Sequence, residues 1–389
     1  MIFKKTWRWF GRNDNITLSD LKQIGIEGIV TSLHNIPNGE VWPIEAINNL
    51  KRYIENNGLK WLVVESLPVS ESIKYSGKNR DQLIENYKIS LANLGKSNIR
   101  TICYNFMPVI DWIRTDLEKK QDDGTYSLYF SFIRFAYFDI YILKRTESEK
   151  DYSSDTLKKV HELAMTISEK EKKELVENII IKTQGFINGN IRETDKNPIN
   201  IFNQLLLKYN GIDKKQLREN LKYFLQQVLP VAEEYKINLC IHPDDPPFPV
   251  FGMPRIVTGE KDIDWILKSV DVHNNGLTFC TGSLSSNINN NVTSLAQKFA
   301  FRTHFLHLRS TNILSNGDFV ETSPLEGRGD ILSVIKIFKN YTKIPMRVDH
   351  GPVMLTDIGK TYNPGYSFLG RMKALNEISG MIHAVSQNI

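Results

Sequence analysis

One stretch constrains this chain more than any other. It is Cys240-Ile241-His242-Pro243-Asp244-Asp245-Pro246-Pro247, running on to Phe251-Gly252-Met253-Pro254-Arg255. The apolar run Ile237 to Ile241 reads as a buried strand. The prolines that follow can neither extend a sheet nor open a helix until they are past. His242 therefore sits at the C-terminal end of a strand. Three later apolar runs end in the same way: Gly276 to Cys280, His304 to Leu308 with its His307, and Ile344 to Asp349, followed at once by His350. Four strand ends carry metal-competent side chains, and a fold must account for them together.

The rest of the chain keeps the same rhythm. Strands are expected at Thr6–Phe10, Gly28–Ser32, Trp61–Val64 (ending at Glu65) and Thr101–Tyr104. Between them lie helical stretches at Leu18–Ile24, with Thr17 or Ser19 near the N-cap, at Pro43–Asn57, and at Asp81–Leu94. The alternation breaks over residues 110 to about 212, which hold an aromatic run, a charged helical stretch Ser154–Asn178 and a polar, turn-rich segment Gly185–Asn200. It returns with helices at Lys214–Tyr235, Asp262–Val270, Val292–Ala300, Asp330–Lys339 (acidic at its start) and Tyr366–Val385. Eight strands alternating with eight helices define a (β/α)8 TIM barrel, one domain over residues 1–389 with an insertion after strand four. The insertion either caps the barrel mouth or builds an oligomer contact. A doubly wound sheet is the alternative, but it leaves the recurrence of reactive residues at strand ends without a cause.

Composition narrows the partners. With 41% hydrophobic and 24% charged residues the chain is ordinary globular material. Its net charge of +5 is spread without a Lys/Arg block, which argues against nucleic acid. The cysteines at 103, 240 and 280 argue for a reducing compartment rather than a disulfide scaffold. The start, Met1-Ile2-Phe3-Lys4-Lys5, lacks a signal-peptide core, and the most apolar window, Tyr126–Leu143, is crossed by Arg134 and Asp139. A cytoplasmic protein with no membrane contact is expected.

His242, Cys280, His307 and Asp349 are each separated by about one β-α repeat, ~30 residues in this fold, so successive strands deliver them to one barrel face. Imidazole, thiolate and carboxylate converge mainly to hold a metal. One thiolate among N and O donors disfavours Mg2+ and Ca2+ and favours Fe2+, Mn2+, Co2+ or Zn2+. Each residue alone has a blander role: a strand-end histidine is more often hydrogen-bonded core, and a lone cysteine a small buried hydrophobe. Cys240, two before His242, is assigned to the core. His304 should face the outer helices, and His161, His273 and His383 should be solvated. Past the strand end both Asp349 and His350 can turn into the pocket, so that one ligates and the other moves protons. Arg309 could clamp a substrate carboxylate or sit in a loop salt bridge. Trp7 and Arg8 end strand one, where one tryptophan would wall the pocket; His34 and Asn35, in the loop after strand two, join them as expected substrate contacts. Asp244 and Asp245 either orient ligands or cap their loop.

At these residues the chain resembles the mannonate dehydratase family. The matching pieces are Trp7-Arg8-Trp9-Phe10-Gly11, the proline-rich stretch at 240–247, Cys280-Thr281-Gly282-Ser283, Phe305-Leu306-His307-Leu308-Arg309, Pro345-Met346-Arg347 with Asp349-His350-Gly351, and Asn363-Pro364-Gly365-Tyr366. They occur in order from end to end. Val348 departs from the proline expected there. The resemblance implies a xylose-isomerase-like barrel and a hydro-lyase that converts D-mannonate to 2-dehydro-3-deoxy-D-gluconate and water in hexuronate and glucuronate breakdown. It implies one Mn2+ or Fe2+ per chain on His242, Cys280, His307 and Asp349, with His350 and Tyr366 near the chemistry. On that reading His350, or second Asp349, is the base and Tyr366 the acid. A homodimer or higher homo-oligomer is expected. Three alternatives remain at this point: a metal-dependent sugar isomerase or epimerase of the same fold, a non-catalytic barrel that binds metal or sugar acid, and a structural zinc barrel.

Overall fold

The computed structural model describes residues 2–185, 191, 194–341 and 343–387. Part of the turn-rich segment expected at Gly185–Asn200 lies outside them. Eight parallel strands close into a barrel: β1 (Lys4–Arg8), β2 (Gly28–Thr31), β3 (Lys60–Glu65), β4 (Thr101–Tyr104), β7 (Asn238–Ile241), β8 (Asn275–Cys280), β9 (Thr303–Leu308) and β12 (Pro345–Val348). The order around the barrel is β1-β12-β9-β8-β7-β4-β3-β2, so each strand pairs with its chain neighbours across a helical crossover. The (β/α)8 expectation holds. The other four strands lie elsewhere: β5 (Asp116–Lys120) and β6 (Tyr126–Phe130) come from the segment after β4, and β10 (Ser310–Ile313) and β11 (Phe319–Thr322) from the loop after β9. They form one antiparallel sheet in the order β10-β11-β6-β5, seamed by Phe130 stacked on Phe319 at 5.0 Å.

Strand parity sorts the barrel side chains. Side chains alternate along a strand. Val30, Val63, Cys103 and Phe305 form a closed apolar cluster, while the intervening Ile29, Val64, Ile102 and Leu306 join the larger core under the helices. Strand one begins two residues earlier than Thr6, because Lys4 pairs with Pro345 and Thr6 with both Arg347 and Gly28. The charged stretch expected as one helix over Ser154–Asn178 is two, Ser154–Thr166 and Glu169–Val176. Ser168 breaks it by capping the second in a reciprocal box with Glu171, a start signal strong enough to interrupt the run. Asp330 stands at the start of the helix Ile331–Phe338, but its carboxylate bonds the Thr293 hydroxyl instead of capping the helix. No described helix is long and apolar enough to cross a membrane.

Two glycines seat the loop that follows β12. A Cβ on Gly370 would fall 1.9 Å from the Pro352 carbonyl oxygen, and one on Gly351 2.4 Å from the Arg371 amide nitrogen. The last helix, Phe368–Ser386, therefore approaches the loop backbone to backbone, directly beside His350.

Candidate active site

The C-terminal end of the barrel gathers one side chain from almost every strand. Arg8 ends β1, Glu65 ends β3 and Cys280 ends β8; His307 is the penultimate residue of β9; His242 and Asp349 follow β7 and β12 directly. Register aligns them, with Cys280 opposite His307 and His307 opposite Arg347. Glu65 and His307 each stand two residues beyond a member of the inner apolar cluster, Val63 and Phe305. Arg8, Glu65, His242 and Asp349 line a small cavity of about 50 Å3 that also touches Asp111, Trp112, His350 and Tyr366, while Cys280 and His307 are buried outside its lining.

Three of the residues form a donor cluster. His242 Nε2 and His307 Nδ1 face each other at 3.2 Å, and with Cys280 Sγ all three atoms lie within 4.8 Å of one another. The outer ring nitrogens are already engaged: His242 Nδ1 lies 2.7 Å from the Pro243 carbonyl oxygen, and His307 Nε2 lies 3.5 Å from Glu65. That leaves the inner nitrogens turned toward the thiol, as a metal site requires. Asp349 stands beside the trio, 3.8 Å from Cys280 Sγ and 4.0 Å from His307 Nδ1. Its carboxylate is gripped by Arg347 at 2.5 Å and Arg309 at 2.9 Å.

Charge explains the ionisation of the cluster. Burial opposes a thiolate at Cys280, but the Arg309 guanidinium and the two imidazoles outweigh it and hold the thiol well below its usual range. Burial likewise opposes a charge on His242, yet Cys280 and then Asp349 push it up to about 9. A divalent cation would supply positive charge beside the thiolate, so the donor set fits a metal by type, reach and electrostatics.

A ring of buried ion pairs frames the cluster. Glu65 bonds Arg347 at 2.8 Å and Arg8 at 3.0 Å. Arg309 bonds Asp245 at 2.8 Å and Glu321 at 2.5 Å; Arg114 bonds the same two acids, each at 2.7 Å. Glu321 in turn meets His350 Nδ1 at 2.9 Å. His350 stands edge-on to Tyr366 with ring centroids 5.1 Å apart.

The expected substrate contacts divide. Arg8 reaches the cavity, and its buried Nε has no hydrogen-bond partner among the described residues. Trp7 does not line the cavity: its odd parity turns it outward, under the Arg371 guanidinium at 3.9 Å and beside Phe368. Trp9 shares that parity and stacks on Tyr53, so neither tryptophan walls the pocket. Asn35 is exposed, and His34 packs behind Phe10 rather than on the cavity, its pKa lowered to about 3 by burial and by Arg8. Arg309 borders the cavity, where it pairs with three carboxylates, Asp245, Glu321 and Asp349. His304 bonds the His273 carbonyl at 2.9 Å beside Gly276, away from the site, while His161, His273 and His383 are exposed.

Sequence reasoning passed over Glu65, Arg347, Asp111, Arg114 and Glu321. Two of these had a signal. Glu65 ends its strand as His242 and Cys280 do, and Arg347 shares the face of Asp349 two residues later. Glu321 reaches the site from β11 of the antiparallel sheet and Arg114 from the stretch just before β5, which no local pattern announced.

Comparisons agree along the whole chain. The family model described as D-mannonate dehydratase (UxuA) matches residues 3–389. A mannonate dehydratase of Marinomonas sp. (strain MWYL1) is 44% identical over 387 residues, covering 97% of this chain and 97% of its own. The crystal structure of mannonate dehydratase from Streptococcus suis serotype 2 superposes with a TM-score of 0.77 at 32% identity, over 100% of this chain and 94% of that one. At the level of fold alone, a xylose isomerase domain protein from Planctomyces limnophilus superposes with a TM-score of 0.51 at 7% identity, over 100% and 99% of the two chains.

Proposed function

This chain belongs to the mannonate dehydratase family and is a dehydratase, a hydro-lyase, and on that premise we propose that His350 and Tyr366 move the protons in the elimination of water from D-mannonate to 2-dehydro-3-deoxy-D-gluconate, in hexuronate breakdown. The observation that carries this reading is the edge-on approach of His350 to Tyr366 at 5.1 Å on the wall of the cavity that holds His242.

The elimination removes a proton from C2, next to a carboxylate, and a hydroxide from C3. The C2 proton is weakly acidic because its loss makes a dianionic enediolate. We assign one Mn2+ or Fe2+ to His242, Cys280, His307 and Asp349, where it would supply Lewis-acid stabilisation of that charge. Two groups compete as base. Arg347, His350 and Arg309 overcome burial and hold Asp349 well below the carboxylate range, so it binds a proton poorly. His350 lies on the cavity wall between Glu321 and Tyr366, which favours it as the base. Tyr366 suits the acid: burial, opposed by Arg347, pushes its phenol up to about 12, so it keeps a proton for the departing hydroxyl. The enol left behind tautomerises to the keto acid. For substrate anchoring, Arg8 offers the cavity a buried Nε with no hydrogen-bond partner among the described residues.

The test is formation of 2-keto-3-deoxy acid from D-mannonate with Mn2+ or Fe2+. His350→Asn and Tyr366→Phe are expected to keep their metal and lose turnover by ~100-fold or more. Near-wild-type turnover in either variant would remove that residue from its role. Cys280→Ser is expected to lower bound metal by elemental analysis, and unchanged stoichiometry would strike Cys280 from the ligands.

A further inference from the structure

The base in this reading has a partner that the reaction scheme leaves unused. We infer that Glu321 is a positioning residue for the dehydration: it receives the Nδ1–H of His350, fixes the ring in one tautomer, and directs the Nε2 lone pair toward the substrate. The inference rests on His350 being the base.

Both carboxylate oxygens of Glu321 reach His350 Nδ1, at 2.9 and 3.0 Å. An ionised carboxylate only accepts hydrogen bonds, so this contact calls for the proton on Nδ1, and in the neutral ring the lone pair is then on Nε2. Nε2 is the nitrogen on the Asp349 side, 3.7 Å from Oδ1. The ring is also confined by Trp112 with centroids 5.1 Å apart, by Tyr366, and by the backbone at Gly365, where a Cβ would meet His350 Cγ at 2.8 Å. Packing thus sets the ring plane, and the Glu321 contact chooses which nitrogen faces the cavity.

Glu321 is itself immobilised. Arg309 and Arg114 bond its Oε1 at 2.5 and 2.7 Å. Each arginine also holds Asp245, in the proline-rich loop that follows His242. Arg114 belongs to the segment after β4, Glu321 to β11, and Arg309 lies between β9 and β10. Two arginines, one from the segment after β4 and one from just past the end of β9, therefore converge on one carboxylate, and through it on the imidazole. A contact serving only stability would not need to end on the residue that takes the proton.

Kinetics on D-mannonate decide the matter. Glu321→Ala is expected to lower kcat ~100-fold, and the isosteric Glu321→Gln ~10-fold, both with KM within about twofold and bound metal unchanged. The primary isotope effect with C2-deuterated substrate should rise, since proton removal becomes slower. In a His350→Asn background, Glu321→Gln should cost almost nothing further, because the two side chains act as a unit. A kcat at the wild-type level in Glu321→Gln and Glu321→Ala would overturn the inference, as would full additivity with His350→Asn. Should Glu321→Ala not fold, Glu321→Gln and the double variant decide alone. If His350→Asn itself retains turnover, the failure lies with the base assignment.

Discussion

Two layers of side chains fill the barrel one strand period apart, and they contain the same element in opposite states. Cys103 lies in the lower layer with Val30, Val63 and Phe305, and burial pushes its thiol well up. Cys280 is equally buried in the upper layer, and its thiol is pulled well down. Burial alone cannot explain the difference, because it opposes the thiolate in both places. The upper layer adds Arg309, His242 and His307, and their charge outweighs the desolvation. A step of two residues along each strand, from Val63 to Glu65 or Phe305 to His307, thus converts a dry plug into an ionic cup.

The contrast can be broken most severely at Arg347, which joins Glu65 to Asp349 within the upper layer. Arg347→Met strands two buried carboxylates, and a loss of about 3–5 kcal/mol is expected in chemical denaturation. A loss under about 1 kcal/mol would mean that the cup is not held by charge pairing.

The lower layer should answer differently. Cys103→Ala removes a small apolar group from a packed cluster, so about 1–2 kcal/mol of stability should go while bound metal stays the same. Loss of metal in this variant would make the two layers one functional unit.

A third effect is one of pH and belongs to the foot of the barrel. Burial lowers the pKa of His304 from 6.5 to about 4, with the His273 carbonyl opposing. Between those values the unfolded chain binds the proton and the folded one does not. Stability from this group is therefore full above pH 6.5 and declines as pH falls toward 4, by at most ~1.4 kcal/mol per pH unit. Denaturation midpoints at pH 7.5 and 5 should fall further for the native chain than for His304→Gln, and parallel declines would refute it.

Much of the barrel could be read locally. An apolar run stopped by prolines gave the β7 end at His242, and helix caps such as Thr17, whose hydroxyl and Asp20 form a reciprocal box, marked where crossovers begin. The errors have physical causes. Counting Trp7 as a pocket wall ignored that side chains alternate, and Arg8 beside it occupies the inner face. β5 escaped notice because its residues, Asp116-Leu117-Glu118-Lys119-Lys120, show no alternation of apolar and polar types. Its place is set by pairing with β6, in a register that contains an irregularity.

Which residue types reach the mouth, and at what repeat, is written along the chain: His242, Cys280, His307 and Asp349 follow from strand ends spaced by one β-α unit. Short-range physics suffices there, since parity and proline stops act within a few residues. How those groups are charged and held is set by contacts made across the fold. Arg114 and Glu321 are 207 residues apart and meet at 2.7 Å beside His350. Which carboxylate an arginine neutralises depends on distances of a few ångströms across the fold, and no local pattern in the chain encodes them.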